Sequence, residues 1–568
     1  MYILGISEID NDAGITLLKD REVVCAISEE RLSRKKRHQG FPHLSIAWAL
    51  EFAGITLDDI DHIAIAKADP ELDPELFSRP GRFYKKYNYL GKEDKTPFLN
   101  KLGSLVANRF RNGPGFQKLA RKMAAEIRDW LDANGVAEKA IRVPHHYSHA
   151  ACAYWASGFE RTLAVTMDGQ GEGATAQVYL VDKGKFELLK EIPVPHSLGA
   201  FYAGITKACG YQPAKHEGKI TGLAAYGKPT EQLLENVRKL AFYKGDGEFA
   251  APGIYGNYPR VVGWLQMYGR DEVCAAFQMV LEEVVEQFVG YWVRKTDVKD
   301  VVLAGGVCAN VKLNQRILEI KDVDRVFVFP HMADGGLGYG AAQHVYREKT
   351  GDMTLEPITD VYWGPEYSND EIEAALKDAD LAYDKPEDYE GEVAALLEQN
   401  KVIALFQGRM EFGPRALGAR TIMYPTTDAR VNDWLNDRLE RSEFMPFAPV
   451  TLAEEVSKCY VGYEGTELTN QFMTITYDCT DEMKAKCPAV VHVDGTARPQ
   501  VIHRDKHPRY YDIVKRYHDL TGVASVVNTS FNMHEEPIVC SPKDAIRAFL
   551  LGHLDYLAIG DFLVKQPG

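Results

Sequence analysis

What the chain has little of narrows its chemistry first. Its nine cysteines are scattered over 568 residues, with no C-x-x-C pair and no regular spacing. That excludes a zinc finger and a disulfide framework, and it fits a reducing compartment. No apolar run approaches the roughly 20 residues of a membrane span, and Met1-Tyr2-Ile3-Leu4-Gly5-Ile6 lacks the basic and long apolar regions of a secretion signal. A cytoplasmic protein without a membrane partner is expected. Basic excess is missing too. A net charge of −15 argues against gripping nucleic acid by an overall field, though it leaves room for a local basic pocket. What is present is ordinary for a globular protein, 45% hydrophobic and 26% charged residues. The length exceeds one core and implies roughly two to four domains.

The stretch Pro144–Gly173 is the first concentrated signal. Pro144 suits a helix start, and His145 and His149 are four apart, so on a helix they share one face and both imidazoles reach one ion. The hydrophobic run Thr162–Met167 stops at Asp168-Gly169-Gln170-Gly171-Glu172-Gly173, where a buried strand delivers a carboxylate to its end. Two nitrogen ligands and one oxygen ligand are thereby suggested. A helix whose histidines merely face a cleft accounts for the same pattern.

A grammar repeats along the first part. Tyr2–Ile6, the turn Asp10–Gly14, Ile15–Leu18 and Glu22–Ile27 read as strand, acidic turn, strand, strand. Leu163–Met167, Asp168–Gly173, Ala174–Val181 and Phe186–Ile192 read the same way. Such duplication describes the actin-like class of α/β ATPase folds (sugar kinases, heat-shock ATPases, actin), whose acidic turns aim glycine-rich backbone at phosphates or a metal. Between the repeats, Asp69–Gly115 is irregular, with a basic and aromatic stretch at Arg79–Tyr87, and a helix is expected over Phe116–Leu131. Gly218-Lys219 opens a small-residue run to Gly227. A long helix over Glu272–Lys295 carries an apolar stripe, Phe277, Val280, Leu281, Val284, Val285 and Phe288, that is core. Then Val301–Ala304 runs into Gly305-Gly306 and Asn310, a strand–glycine–helix turn of the kind that lets backbone approach a nucleotide. Strand Val326–Phe329 leads to Asp334 beside Gly335 and Gly336, either a fourth ligand or a helix cap.

Composition changes at about Met353–Asp370, so domains are expected at 1–355 and 356–568. The second part offers helices Asp370–Leu381 and Glu392–Glu398, strand Val402–Phe406, and arginines in Gly/Pro-framed turns: Arg409, Arg415, Arg420 and Arg498. Such turns suit a phosphate-bearing ligand.

Taken together, these motifs resemble the ATP-dependent O-carbamoyltransferases of the tobramycin, cephalosporin and nodulation-factor type. The resemblance runs the whole chain in order. It rests on Glu29-Glu30-Arg31 with Arg34-Lys35-Lys36, His145-His146 with His149-Ala150, Asp168-Gly169-Gln170-Gly171, Gly218-Lys219, Gly222-Leu223-Ala224-Ala225, and Gly305-Gly306-Val307 with Asn310. It continues in Gly413–Gly418, Pro446-Phe447-Ala448-Pro449, Arg498-Pro499-Gln500 and Asn528–Asn532. It implies a first domain like the tRNA-threonylcarbamoyl transferases within the actin-like class, and a smaller α/β domain of the threonylcarbamoyl-adenylate synthase type. The smaller one would make carbamoyl adenylate from carbamoyl phosphate and ATP (with Mg2+). The larger would pass the carbamoyl group to a hydroxyl of a small-molecule or sugar acceptor, as in natural-product biosynthesis. The resemblance also implies Fe2+, or another divalent transition metal, on His145, His149, Asp168 and Asp334, and catalytic positions at Asn11, Asp12 and Lys36. Gly169, Gln170, Gly218, Lys219, Gly305, Gly306 and Asn310 would face the nucleotide or carbamoyl adenylate. Arg415, Arg498, one of Arg438 or Arg441, Asn528 and Ser530 would hold carbamoyl phosphate and ATP.

Two departures stand out. Where the family carries histidine before Asp-Ala, this chain has Asn11, and an amide cannot act as a general base near neutral pH. Either Asp12 or another group takes the proton, or the acceptor is already nucleophilic, or transfer is impaired. Met445 stands where relatives carry arginine before Pro-Phe-Ala-Pro, so Arg438 and Arg441 are each a candidate substitute. A fused tRNA-modifying enzyme and a nucleotide-binding protein that has lost transfer are the alternatives. The hydrogenase-maturation relatives carry an acylphosphatase domain and paired zinc-binding cysteines, and neither is found in this sequence.

Overall fold

In the computed structural model the described residues are 1–7, 11–68, 114–194, 196–251, 254–440 and 446–567. The basic and aromatic Arg79–Tyr87, most of the 69–115 segment around it, Asp10, Arg441 and Met445 lie outside them. The chain forms two compact units, Met1–Glu22 with Gln39–Pro357, and Val23–His38 with Ile358–Gly568. The segment 23–38 therefore groups with the second unit, although the sequence places it within 1–355.

In the first unit, β1 (Tyr2–Ile6) pairs antiparallel with β2 (Gly14–Lys19) and parallel with β4 (His62–Ile65), which pairs parallel with β5 (Ala140–Arg142). The strand after β2 in the chain is β3 (Glu22–Ser28). The same plan recurs further on. Strand β6 (Arg161–Gly171) pairs antiparallel with β7 (Ala174–Asp182), and β7 with β8 (Lys185–Pro193). A hairpin, β9 (Phe242–Gly245) and β10 (Glu248–Ala250), stands apart. Strands β11 (Asp300–Ala304) and β12 (Arg325–Val328) then add in parallel beside β6. A central strand with one antiparallel neighbour and two parallel strands on its other side, built twice, is the duplicated actin-like α/β plan. The parallel strands are buried on both faces, as their unbroken apolar runs require.

Helices close the sheets. His145–Ser157 packs against Leu337–Thr350, and their approach depends on glycine: a Cβ at Gly340 would stand 2.0 Å from Ser148 O, and one at Gly5 would stand 2.0 Å from Gly338 O. The long helix spans Arg270–Thr296, and its apolar stripe is buried as the spacing predicts. The helix expected over Phe116–Leu131 runs Pro114–Ala133. One expectation changes at the key acidic turn. Strand β6 does not stop at Met167 but continues to Gly171, and its ladder skips from Met167–Ala176 to Gly171–Ala174. The turn falls at Glu172-Gly173, with Asp168–Gln170 bulged out of register.

The second unit holds a seven-stranded mixed sheet ordered Gln500–Ile502, Ala448–Leu452, Ser525–Ser530, Arg420–Pro425, Ile403–Phe406, Tyr556–Ile559 and Phe562–Lys565. The 23–38 segment is fastened here. Ala26 N donates to Trp363 O at 3.1 Å, Arg31 to Gly413 O at 2.8 Å, and Arg34 to Pro537 O and Ile538 O, each at 2.8 Å. Of the expected anion ligands, Arg409 donates to Trp363 O (2.6 Å) and Val24 O (2.9 Å), and the fully buried Arg420 to Gln407 O (2.8 Å). Both are structural. Among the described residues no helix is long and apolar enough to cross a membrane.

One titratable cap makes the second unit sensitive to acid. His507 precedes the Pro508–Thr521 helix, and its Nδ1 accepts from Tyr510 N at 3.3 Å, a role only the unprotonated ring nitrogen can fill. Burial pulls this imidazole from the usual 6.5 to about 4. Below about pH 6.5 the unfolded chain takes up a proton that the folded one refuses until about pH 4. This contribution is therefore complete above pH 6.5 and lost as pH falls towards 4. His507→Asn keeps an acceptor that does not titrate, so the urea midpoint of the variant should fall less than that of the wild type between pH 7 and pH 4.5.

Candidate metal and nucleotide site

The four ligand candidates come from separate elements and meet in the first unit. His145 and His149 lie one turn apart on the helix capped by Pro144, with ring centroids 4.7 Å apart. Asp168 comes from the β6 bulge, and Asp334 from the short turn between β12 and the Leu337 helix. One ligand atom from each lies within 4.8 Å of all the others. His145 Nε2 and His149 Nε2 are each 3.2 Å from Asp168 Oδ2, and 4.0 and 3.6 Å from Asp334 Oδ1. Ligands about 2.0–2.2 Å from a shared ion stand roughly 3–4 Å from one another, so the donor set fits a divalent transition metal.

The outer oxygens are tied off. Gly169 N donates to Asp168 Oδ1 at 2.6 Å, and the Asn11 amide donates to Asp334 Oδ2 at 3.2 Å. Each bond orients its carboxylate so that the other oxygen faces the imidazoles. Glu172 accepts from His145 N (3.2 Å) and from Ala68 N (2.6 Å), a carboxylate at the N-terminus of the histidine helix, where the dipole favours it. Glu172 carries no marked signal in the sequence beyond being an acid that directly follows the end of strand β6. Burial alone would raise Asp168, but hydrogen bonds from His145 and His149 outweigh it and hold the carboxyl well below the usual range. The third histidine, His146, is separate: burial, helped by the neighbouring imidazoles, drives it down to about 3, and its Nδ1 lies 2.9 Å from Thr166 Oγ1.

Of the other first-unit candidates, several crowd the same carboxylate. A Cβ at Gly306 would stand 2.9 Å from Asp168 Oδ1, and one at Gly305 2.2 Å from Met167 O. Gly169 O accepts from Ser197 at 2.7 Å, and Gln170 sits half-buried in the bulge. Asn310 is a helix cap, accepting from Leu313 N (3.1 Å) and donating to Gln278 (2.8 Å) on the long helix. The Glu217–Ala224 helix, which carries Gly218 and the buried Lys219, packs on that same long helix. Asp12 is held at φ 63°, its Oδ2 3.8 Å from Nε2 of the buried His331, a residue the sequence reading passed over. Lys36 is exposed in the 23–38 segment of the second unit.

In the second unit a hydrogen-bond web gathers the remaining candidates. Asn528 donates to Ala416 O (3.1 Å) and Gln500 Oε1 (2.8 Å), and Thr421 donates to its Oδ1. Gln500 in turn donates to Leu417 O at 2.8 Å. The Gly413–Gly418 loop carrying Arg415 is thus pinned to the strand ending at Ser530 and to the segment carrying Arg498. Asn528 is committed to this web; Ser530 donates to Asn532 at 2.6 Å. Arg415 differs from its neighbours. Its buried Nε has no hydrogen-bond partner, no acid pairs with it among the described residues, and burial draws it from 12.5 to about 10. A half-buried guanidinium with no acid paired to it among the described residues suits an anion. Arg438 is exposed and lies over the Trp434 ring at 4.9 Å. Arg441 is outside the described residues.

Residues 2–343 match the model for "Carbamoyltransferase N-terminus" and 394–566 that for "Carbamoyltransferase C-terminus". The nodulation protein NolNO of Sinorhizobium fredii is 31% identical over 98% of this chain and 79% of its own length. An uncharacterised protein of Synechocystis sp. is 31% identical over 100% of this chain and 97% of its own. Among solved structures, component A of (R)-2-hydroxyglutaryl-CoA dehydratase from Acidaminococcus fermentans aligns with a TM-score of 0.34 at 16% identity, covering 61% of this chain and 98% of its own.

The glycine beside the acidic bulge is not replaceable. Gly305 has φ 102°, and its missing Cβ would overlap Met167 O. Gly305→Ala should cost on the order of 3 kcal/mol through backbone strain and displacement of β6, read as a lowered denaturant midpoint.

Proposed function

This chain belongs to the carbamoyltransferase family, and we propose that it is an ATP-dependent O-carbamoyltransferase whose second unit activates the carbamoyl group and whose first unit transfers it. The observation that carries the reading is the convergence of two imidazoles and two carboxylates, with their outer oxygens already hydrogen-bonded, in the first unit.

In the activating half, carbamoyl phosphate, ATP and water give carbamoyl adenylate, pyrophosphate and phosphate. Both organic substrates are polyanions. Arg415 supplies a positive charge that no acid among the described residues pairs with, and the Asn528–Gln500 web fixes the loop that presents it. Arg498, at the start of the segment pinned by Gln500, and Ser530 complete the anion contacts.

In the transferring half, the acceptor hydroxyl attacks the carbamoyl carbon. Its C–O bond forms, the bond to AMP breaks, and the hydroxyl proton goes to a base. His145, His149, Asp168 and Asp334 would hold a divalent metal, which would supply Lewis acidity for the mixed anhydride or its phosphate side. Asn11 cannot accept the proton, and its amide is engaged in orienting Asp334. We assign the proton to Asp12, the carboxylate one residue on that is not among the metal ligands, with His331 beside it. Gly169, Gly305 and Gly306 leave the backbone bare beside Asp168, which suits the approach of the adenylate phosphate.

The test begins with pyrophosphate. Its release from ATP should require carbamoyl phosphate; release that ignores carbamoyl phosphate would overturn the reading. Mass spectrometry of candidate hydroxyl acceptors should then find one added carbamoyl group. Removing a metal ligand separates the halves: His149→Ala should lose bound metal and at least about 100-fold in transfer, while pyrophosphate release persists. Equal loss of both steps in the folded variant would refute this division of labour. Arg415→Gln should do the reverse, raising the KM for carbamoyl phosphate by roughly 10- to 100-fold with metal content unchanged.

A further inference from the structure

All nine cysteines are reduced thiols, and among the described residues two of them stand in sulfur-to-sulfur contact. Cys209 Sγ lies 3.7 Å from Cys274 Sγ, although 65 residues separate them in the chain. Cys209 is half-buried at the C-terminal end of the Leu198–Ala208 helix, where its N–H donates to Ile205 O at 2.9 Å. Cys274 is fully buried in the first turns of the Arg270–Thr296 helix. Neither thiol belongs to the metal quartet, to the Arg415 web or to any step derived above.

We infer that Cys209 and Cys274 form a reversible, hydroperoxide-responsive disulfide that ties the Leu198–Ala208 helix to the Arg270–Thr296 helix. The two thiols are unequal in the way such a pair needs. The hydrogen bond from Cys274, aided by the charge of Arg270, holds Cys209 below the usual 9.0 despite its burial. The Cys209 bond and burial push Cys274 upward, so it stays protonated. Cys209 is thus the more accessible and the more readily ionised of the two, and the thiolate form is the nucleophile in thiol oxidation. Arg270 also lines a surface cavity of about 500 Å³ together with Tyr226, Gly227, Gly269, Asp271 and Glu272. That cleft gives solvent access to the end of the long helix where Cys274 sits.

The chemistry balances in two steps. The Cys209 thiolate attacks one oxygen of a hydroperoxide, the O–O bond breaks, and the sulfur becomes a sulfenic acid as water or an alcohol leaves. The Cys274 thiol then attacks that sulfur, the S–O bond breaks, and the proton leaves with the hydroxyl as water. Two electrons pass from the thiol pair to the peroxide. A dithiol, such as a thioredoxin, restores the reduced pair by exchange. Closing the bond shortens the separation from 3.7 Å to about 2.05 Å, a small movement for two helices that already touch.

The tie has a direct line to the candidate site. At its other end the Leu198–Ala208 helix rests on the acidic bulge: Ser197 donates to Asp168 O and Gly169 O, and a Cβ at Gly199 would stand 2.8 Å from Gly169 N. One turn beyond Cys274, Gln278 accepts from Tyr202 OH at 2.6 Å and from Asn310 at 2.8 Å. The disulfide therefore stiffens the two helices that brace Asp168 and Asn310.

The test uses the full-length wild-type chain with hydrogen peroxide as the probe. After brief exposure and alkylation under denaturing conditions, the intact mass before alkylation should fall by about 2 Da, and digestion should yield one cross-linked peptide pair containing Cys209 and Cys274. Dithiothreitol should reverse both changes. The oxidised protein should also unfold at a higher temperature than the reduced protein. Cys209→Ser should leave Cys274 fully alkylatable after peroxide and abolish the cross-link. Full alkylation of both thiols after peroxide, a bond between another pair, or Cys209 over-oxidised with Cys274 untouched would each overturn the inference. None of these readouts depends on the carbamoyl reaction, so the outcome is independent of that reading.

Discussion

The first unit depends on where strand β6 leaves its ladder. For six residues, Arg161–Thr166, it is an ordinary strand between β7 and β11, and its backbone groups are satisfied by its neighbours. At Asp168–Gln170 the register breaks, and the carboxylate swings to where His145 Nε2 and His149 Nε2 both meet one of its oxygens. Everything around the bulge serves to keep it in place. Gly305 and Gly306 leave it room, Ser197 binds its carbonyls, Gly169 N fixes its outer oxygen, and Glu172 reaches back to the start of the histidine helix. A carboxylate buried beside a second one is costly unless something positive stands between them. Hydrogen bonds from two imidazoles already keep Asp168 ionised, and a divalent cation would neutralise the pair completely.

The second unit treats buried charge in two different ways. Arg420 and Arg409 spend donors on main-chain carbonyls and so hold loops together. Arg31 and Arg34 also bind main-chain carbonyls, each with an acid beside it (Glu30 and Asp544), and through them a segment from the N-terminal part of the sequence is built into this unit. Arg415 has no such employment. Its Nε is buried without a partner, as is that of Arg420, but among the described residues Arg415 has no carbonyl bonds from its other nitrogens to set against this. The contrast separates arginines bound to main-chain carbonyls from the one to which the proposed reaction gives a phosphate, although Arg409, Arg415 and Arg420 all sit in similar Gly/Pro-framed turns.

This is also why part of the molecule was legible in the sequence and part was not. Periodicity and buried apolar runs marked the strands, the long helix and its stripe, because those patterns are local consequences of burial. The duplicated plan was visible because each copy repeats the same strand–turn–strand order. Ligand convergence was visible only in halves. His145 and His149 are one helical turn apart, but nothing local joins Asp168 to Asp334, which are separated by most of the unit. The acidic turn was misplaced because a bulge preserves the composition of a strand while breaking its register. The tasks of the arginines could not be read at all. A guanidinium that binds a carbonyl and one that awaits a phosphate have the same neighbours in sequence and differ only in the fold around them. Nor did the contact of Cys209 with Cys274 leave a trace, since no spacing rule joins two helices.

Asn11 gains most from being seen in place. As a letter in the sequence it is the loss of a base, and it suggests a chain impaired in transfer. In the structure its amide donates to Asp334 Oδ2, the oxygen turned away from the imidazoles. An amide does that task at every pH, whereas an imidazole there would do it only while it carried a proton on the facing nitrogen. Position 11 thus orients Asp334, and in the proposed reaction proton acceptance falls to Asp12. Asp12 is held in a left-handed conformation that turns it from the strand direction, and the imidazole of His331 lies 3.8 Å away, buried against Gly335, where a side chain would collide with the ring. In the proposed reaction Asn11 keeps the donor duty towards Asp334 and Asp12 takes the acceptor duty, two tasks that the two ring nitrogens of one neutral histidine can perform together.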